Sequence, residues 1–111
     1  MSAITTHVLD TALGRPAAGV RLRLERADGS QTRILAEATT DDDGRARELG
    51  ADQVEPGTYR LVFDVAAYAA ATGQPCFFPE VAITFALTDA TQHHHVPLLL
   101  SPFAYSSYRG S

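Results

Sequence analysis

Apolar and polar residues alternate in short runs along most of the chain, and the runs are separated by Gly, Pro and Asp. A two-residue period is the mark of a strand with one buried face. Ile4 to Asp10 reads as the first strand, with Ile4, Thr6 and Val8 on one face and Thr5, His7 and Leu9 on the other. Gly14-Arg15-Pro16 and Gly19 make a connection. Val20-Arg21-Leu22-Arg23-Leu24-Glu25 then alternates, apolar inside and charged outside. Asp28-Gly29 is a hairpin signal and predicts a partner strand over Arg33 to Thr39. Asp41-Asp42-Asp43-Gly44-Arg45 predicts a turn that delivers Arg45 at its exit.

Pro56-Gly57 leads into a strand from Thr58 to Asp64. Val65 to Thr72, with alanines at 69 to 71 and Gly73 as a stop, is the one persuasive helix. Gln74 to Pro79 is a Pro-bracketed loop, and Val81 to Leu87 is β-branched and aromatic, hence strand. His93 to Leu100 predicts a further strand in which Pro97, having no N–H to donate, marks an edge or a bulge. Tyr105 to Arg109 closes the series as a short strand. Seven or eight short strands and one short helix in 111 residues predict an all-β fold of the β-sandwich kind.

Length fits one domain over residues 1–111. A chain of this size buries only about two-thirds of its unfolded surface. The 45% apolar content therefore supplies one core with little to spare, which leaves room for oligomerisation. The net charge of −4 argues against nucleic acid as a partner. Arg15, Arg21, Arg23, Arg26 and Arg33 offer a local basic patch as one reading, but strand alternation puts Arg21 and Arg23 on one solvated face, which is the preferred one. No run of about 18 apolar residues is available for a membrane span, and no signal peptide is visible. Cys76 is the single cysteine, so an internal disulfide is excluded and a reducing, cytoplasmic location is expected. No spacing ties Cys76 to a catalytic partner; a buried or half-buried inert thiol is expected.

Histidines, an arginine and a polar tail carry the candidate chemistry. His7 lies in an otherwise apolar and threonine-rich strand, as a satisfied histidine or as a rigidly held base. In His93-His94-His95 the first and third side chains share one face and the second takes the other. A zinc site joining two of them to His7 and a calcium loop at Asp41–Asp43 are both minor readings; the second lacks flanking helices and the Glu at position twelve. The run Val96-Pro97-Leu98-Leu99-Leu100 and the turn at Ser101-Pro102 are followed by Tyr108-Arg109-Gly110-Ser111, an aromatic, a guanidinium, a hinge and a hydroxyl, which predicts a tail held in a site. No Gly-x-Ser-x-Gly turn accompanies Ser101 or Ser111. Two histidines on strands, an arginine at a turn exit and this tail fit a hydrolytic site with water as nucleophile. Imidazole titrates near neutrality, and guanidinium binds or polarises carbonyl oxygens.

These segments bring a family into view. Thr6-His7-Val8-Leu9-Asp10, Gly14-Arg15-Pro16-Ala17, Asp43-Gly44-Arg45, Gly57-Thr58-Tyr59, Phe78-Pro79-Glu80-Val81, the run from His95 to Pro102 and the closing Tyr108-Arg109-Gly110-Ser111 resemble the 5-hydroxyisourate hydrolases, the enzymatic branch of the transthyretin-like proteins. The resemblance covers essentially the whole chain. It implies a prealbumin-like sandwich of two four-stranded sheets with one short helix, and a homotetramer (a dimer of dimers) with sites in the channel between dimers. It implies a catalytic set of His7, Arg45, His95 and Ser111. Tyr108, Arg109 and Gly110 would join His7 and Arg45 in binding substrate, with no metal and no cofactor. The implied reaction opens the six-membered ring of 5-hydroxyisourate in urate breakdown. His94 stands where many relatives have an aromatic such as Tyr, and alternation turns it away from His95. Two other readings remain: a non-catalytic transthyretin-type carrier of a small ligand, and a structural sandwich module.

Overall fold

Ile, Val and Thr crowd a pleated surface well and a helix poorly, and Ile4-Thr5-Thr6-His7-Val8 accordingly opens the first strand. The computed structural model describes residues 2–111. In chain order the elements are β1 (Ile4–Asp10), β2 (Arg15–Pro16), β3 (Arg21–Asp28), β4 (Gln31–Thr39), β5 (Arg45–Ala46), β6 (Gly57–Asp64), α1 (Val65–Thr72), β7 (Glu80–Leu87), β8 (His94–Leu100) and β9 (Tyr105–Ser107). One sheet runs β4-β3-β6-β7. The other runs β2-β1-β8-β9, with β5 paired to β1 beyond β2. The sandwich is as expected, but the second sheet has five strands, because the two-residue β5 at the exit of the Asp41–Gly44 turn hydrogen-bonds to β1.

The inner faces meet in one core. Ile4 and Val8 from β1 and Val96, Leu98 and Leu100 from β8 oppose Leu22, Leu24, Tyr59, Leu61, Phe63, Val81 and Leu87. The Asp28-Gly29 signal is realised as a hairpin between β3 and β4, with Gly29 at φ 63°. A bulge after Leu24 interrupts their pairing. Glu25 is buried there, within reach of Arg23 and Arg60, so these arginines do not form an unopposed basic surface. Among the described residues no helix is long and apolar enough to cross a membrane.

The helix spans the residues expected of it. Asp64 caps it by accepting from the Ala67 N–H at 3.2 Å. Gly73 ends it at φ 67°, a left-handed conformation that costs glycine nothing. Its docking runs through Asp10. That buried carboxylate accepts from Tyr68 Oη at 2.6 Å and Gln74 Nε2 at 2.9 Å, and from the backbone N–H groups of Ala12 and Leu13. Burial alone would raise its pKa, but the hydrogen bonds from Tyr68, Leu13, Gln74 and Ala12 outweigh it and hold Asp10 below the usual carboxylate value. Burial and the Asp10 carboxylate push Tyr68 up to about 12, so it stays a donor. Cys76 lies in the following loop and is exposed, not buried, because the loop runs over the surface; its thiol faces the Phe78 carbonyl at 3.5 Å.

Tyr68→Phe is expected to destabilise the fold by about 1.5–3 kcal/mol at pH 7, the usual worth of a hydrogen bond to a charged group. Because the folded carboxyl of Asp10 titrates below its unfolded value of about 3.9, its stabilisation is complete above that value and is lost as pH falls through the folded one. Urea unfolding of wild type and variant should show the gap at pH 7 and its narrowing toward pH 3.

Candidate active site

Alternation on β1 sends Ile4, Thr6 and Val8 into the core and leaves Thr5 and His7 on the outer face. Parallel pairing with β8 sets Thr5 beside His95 and His7 beside Pro97, while antiparallel pairing with β5 sets His7 beside Arg45. Three stretches far apart in sequence thus place His7, Arg45 and His95 on one surface. The turn before Arg45 is held by Asp41, whose Oδ1 accepts from the Asp43 and Arg45 N–H groups at 2.9 and 3.0 Å. Those bonds, the Arg45 one foremost, keep Asp41 ionised below the usual carboxylate value. Gly44 has φ 75° and packs so closely on β1 that a Cβ would collide with the Val8 carbonyl oxygen. The acidic run is therefore a device for presenting Arg45.

The tail completes the surface. Ser107 pairs with Leu98, and Gly110 pairs with His95 in the same register, its N–H donating to the His95 carbonyl at 2.8 Å. Between them the ladder is open. Antiparallel strands exchange backbone bonds at every second residue, and the residue two beyond His95 is Pro97, which has no N–H. The Ser107 hydroxyl takes the Pro97 carbonyl instead, at 2.7 Å. Pro97 is thus the interruption that its chemistry predicts. Gly110 lies against the His95 ring, where an added Cβ would stand 2.6 Å from Cδ2. Glycine is required there for close approach, not for backbone conformation.

The result is a cleft of about 470 Å³ lined by His7, Arg45, His95, Tyr108, Gly110 and Ser111, together with Thr5, Arg47 and His93. A cleft of similar size, about 420 Å³, lies over the other sheet beside Arg21, Arg23, Glu37 and Glu80 but has no imidazole. Arg109 is the one expected site residue that is not brought in. Alternation turns it to the opposite side from Tyr108 and Gly110, where its guanidinium donates to Gln92 Oε1 at 2.9 Å. His94 is buried on the core side, with Nδ1 donating to the Gln92 carbonyl at 3.0 Å. Among the described residues no three His, Cys, Asp or Glu side chains are arranged to hold a metal ion.

Hydrogen bonding and charge set the protonation of the two imidazoles. His7 Nε2 is 2.8 Å from the Asp43 carbonyl oxygen, which can only accept. The neutral ring therefore carries its proton on Nε2 and its lone pair on Nδ1. Burial lowers the pKa of His95, and the nearby Arg45 guanidinium and the His7 and His93 rings lower it further. A neutral His95 beside a fixed guanidinium can accept a proton at pH 7 while Arg45 stabilises negative charge on an oxygen. Two members of this surface were not anticipated in such roles. Thr5 read only as an outward residue, and His93 only as a metal candidate. Their hydroxyl and ring meet at 2.8 Å, and the same hydroxyl lies 2.8 Å from His95 Nδ1.

By architecture the protein is a transthyretin-like β-sandwich. Sea bream transthyretin in complex with thyroxine matches it with a TM-score of 0.91 at 28% identity, over 97% of this chain and 94% of that one. Klebsiella pneumoniae 5-hydroxyisourate hydrolase matches with a TM-score of 0.85 at 34% identity, over 97% and 98% of the two chains. In sequence, the 5-hydroxyisourate hydrolase of Caulobacter vibrioides is 50% identical over the full length of both proteins. The chain belongs to the HIUase/Transthyretin family, whose model matches residues 4–110.

Two measurements check this geometry. In a histidine NMR titration His95 should protonate below about 6.5, the ordinary imidazole value, and Arg45→Met should move its midpoint upward. Gly110→Ala should cost about 10²-fold in turnover, as a displacement of about 1 Å commonly does, with an unchanged melting temperature.

Proposed function

We propose that the protein hydrolyses 5-hydroxyisourate to 2-oxo-4-hydroxy-4-carboxy-5-ureidoimidazoline, a step of urate degradation, using water activated by a histidine base. The observation that carries this reading is the convergence of His7, Arg45, His95 and the Gly110-Ser111 tail on one cleft. Full-length 50% identity to a protein named for this activity supports the choice of substrate. A carrier of hydrophobic ligands is a poor fit to a cleft walled by imidazoles and guanidinium groups.

The planar, carbonyl-rich substrate docks with a carbonyl toward Arg45. His95, neutral because its pKa is depressed, takes a proton from water on Nε2, and the water oxygen bonds to the ring carbonyl carbon beside the scissile C–N bond. Arg45 receives the developing oxyanion. The C–N bond then breaks, the carbonyl becomes a carboxylate, and the released nitrogen takes a proton. His7, fixed by Asp43, orients water or substrate through Nδ1, and Ser111 orients the water or the leaving nitrogen. Tyr108 and Gly110 shape the wall of the cleft; Arg109 joins them if the tail rearranges on binding or in the assembly. No step requires a metal or an organic cofactor.

A homotetramer formed from two dimers is the assembly that goes with this reading, with the clefts facing a shared channel. Leu13, Phe103, Tyr105 and Tyr108 support it: they are large and exposed, and they lie in the β1–β2 turn, the β8–β9 turn, β9 and the tail, next to the sheet that carries the site. A reducing, cytoplasmic setting suits the unpaired, exposed Cys76.

The test is to form 5-hydroxyisourate in place from urate with urate oxidase and follow its ultraviolet decay. Decay should far exceed the spontaneous rate and fall by about 10²–10⁴-fold in His95→Ala, the usual worth of aligned general-base catalysis. His7→Ala should also collapse turnover, and neither variant should change the oligomer. A folded protein that leaves the decay at its spontaneous rate would sink the enzyme and leave the carrier.

A further inference from the structure

Thr5 is buried, yet its hydroxyl touches two rings at once: His95 Nδ1 at 2.8 Å and His93 Nε2 at 2.8 Å. A hydroxyl has one proton to give. It can donate to only one of these nitrogens, and it must accept from the other. The two directions have opposite chemical consequences. If Thr5 donates to His95, the neutral ring carries its own proton on Nε2, the nitrogen left for the cleft, and has no lone pair there. If Thr5 accepts from His95 Nδ1–H and donates to His93, then His95 Nε2 has its lone pair free.

We propose that Thr5 is a positioning residue which, with His93 as its acceptor, holds His95 in the tautomer whose Nε2 can act as base. The proposal rests on His95 being the base in the reading above. Only the second direction needs no rearrangement when His95 gains a proton, since the imidazolium still donates from Nδ1 to Thr5 and Thr5 still donates to His93. The chain does for His95 what an orienting carboxylate does elsewhere, but with a neutral imidazole as its last acceptor. Protonating His93 reverses it. A His93 carrying both protons can only donate to Thr5, which must then turn its proton to His95 Nδ1. His93 thus acts on His95 through hydrogen-bond direction as well as charge. The other groups on this surface are His7 from β1, Arg45 and Arg47 from β5 and its exit, and Tyr108 from the tail. None of these groups hydrogen-bonds to the Thr5 hydroxyl, whose partners are the His93 and His95 rings.

The alternation on β1 and β8 explains why one hydroxyl reaches both rings. Thr5 and His95 are register partners, and His93 shares the face of His95 two residues earlier. Valine has the shape of threonine without the hydroxyl, so Thr5→Val removes the relay and keeps the packing, while Thr5→Ser keeps the relay. The expected result is a fall in kcat of about 10–100-fold for Thr5→Val, the usual cost of losing an orienting partner, with KM little changed and most of the activity present in Thr5→Ser. Thr5→Val combined with His93→Phe should be no worse than the more damaging single change within about twofold, because both cut one chain. Nitrogen-15 NMR of the wild-type rings should find neutral His95 protonated on Nδ1, and Thr5→Val should shift the ring toward Nε2–H. A wild-type His95 protonated on Nε2, full turnover in Thr5→Val, or losses that multiply in the double variant would each overturn the proposal. The tautomer is read without substrate. Failure of the hydrolase reading would therefore show as absent turnover in the wild type, while the NMR result still decides the relay.

Discussion

The parallel pairing of β1 with β8 is the interaction on which the rest depends. It is the seam that joins the first strand to the last long one, and its register decides which side chains become neighbours. A slip by one residue would turn Ile4 and Val8 outward and His7 inward, because side chains alternate with a period of two. The same register that closes the core therefore places Thr5 beside His95. Stability and chemistry are opposite faces of one ladder, and neither can be changed without the other.

Around this seam the chain uses backbone chemistry to leave room for side-chain chemistry. Pro97 withholds a donor where β9 would otherwise zip onward, and Gly110 allows the tail to return onto the His95 ring. Asp41 spends its carboxylate on two backbone N–H groups, and Gly44 takes a conformation closed to other residues, so that Arg45 leaves the turn beside His7. On the far side of β1, Asp10 gathers four donors and fixes α1. Residues that bond to backbone thus hold the frame, and the rings and guanidinium of the cleft keep nitrogens free for a ligand.

Most local order was legible in the sequence to within two or three residues, although the two-residue strands β2 and β5 read only as a connection and a turn exit. The strand at Ile4–Asp10, the helix at Val65–Thr72 with its Gly73 stop, and the break at Pro97 all follow from short-range rules of period, capping and missing donors. The facing of His93 and His95 against His94 followed from alternation in the same way. What short-range rules could not supply was which strands meet. Nothing in Thr5 or His93 taken alone announces that they touch, since their contact depends on pairing segments at opposite ends of the chain. Likewise the fifth strand is a product of that packing, and Cys76 is exposed because of where its loop passes. His7, Arg45 and His95 were named together through family resemblance, and the structure supplies the register that makes them neighbours.

Thr5 and His95 are separated by 90 residues in the chain. Contacts of such separation are slow to form, because the loop between them must be ordered before they repay its closure. On a ribosome the first strand emerges and waits for β8 and the tail before it has a parallel partner. A nascent chain that lacks β8 cannot assemble this cleft, however well its hairpins have folded, and Thr5 stays without its His95 partner until that strand arrives.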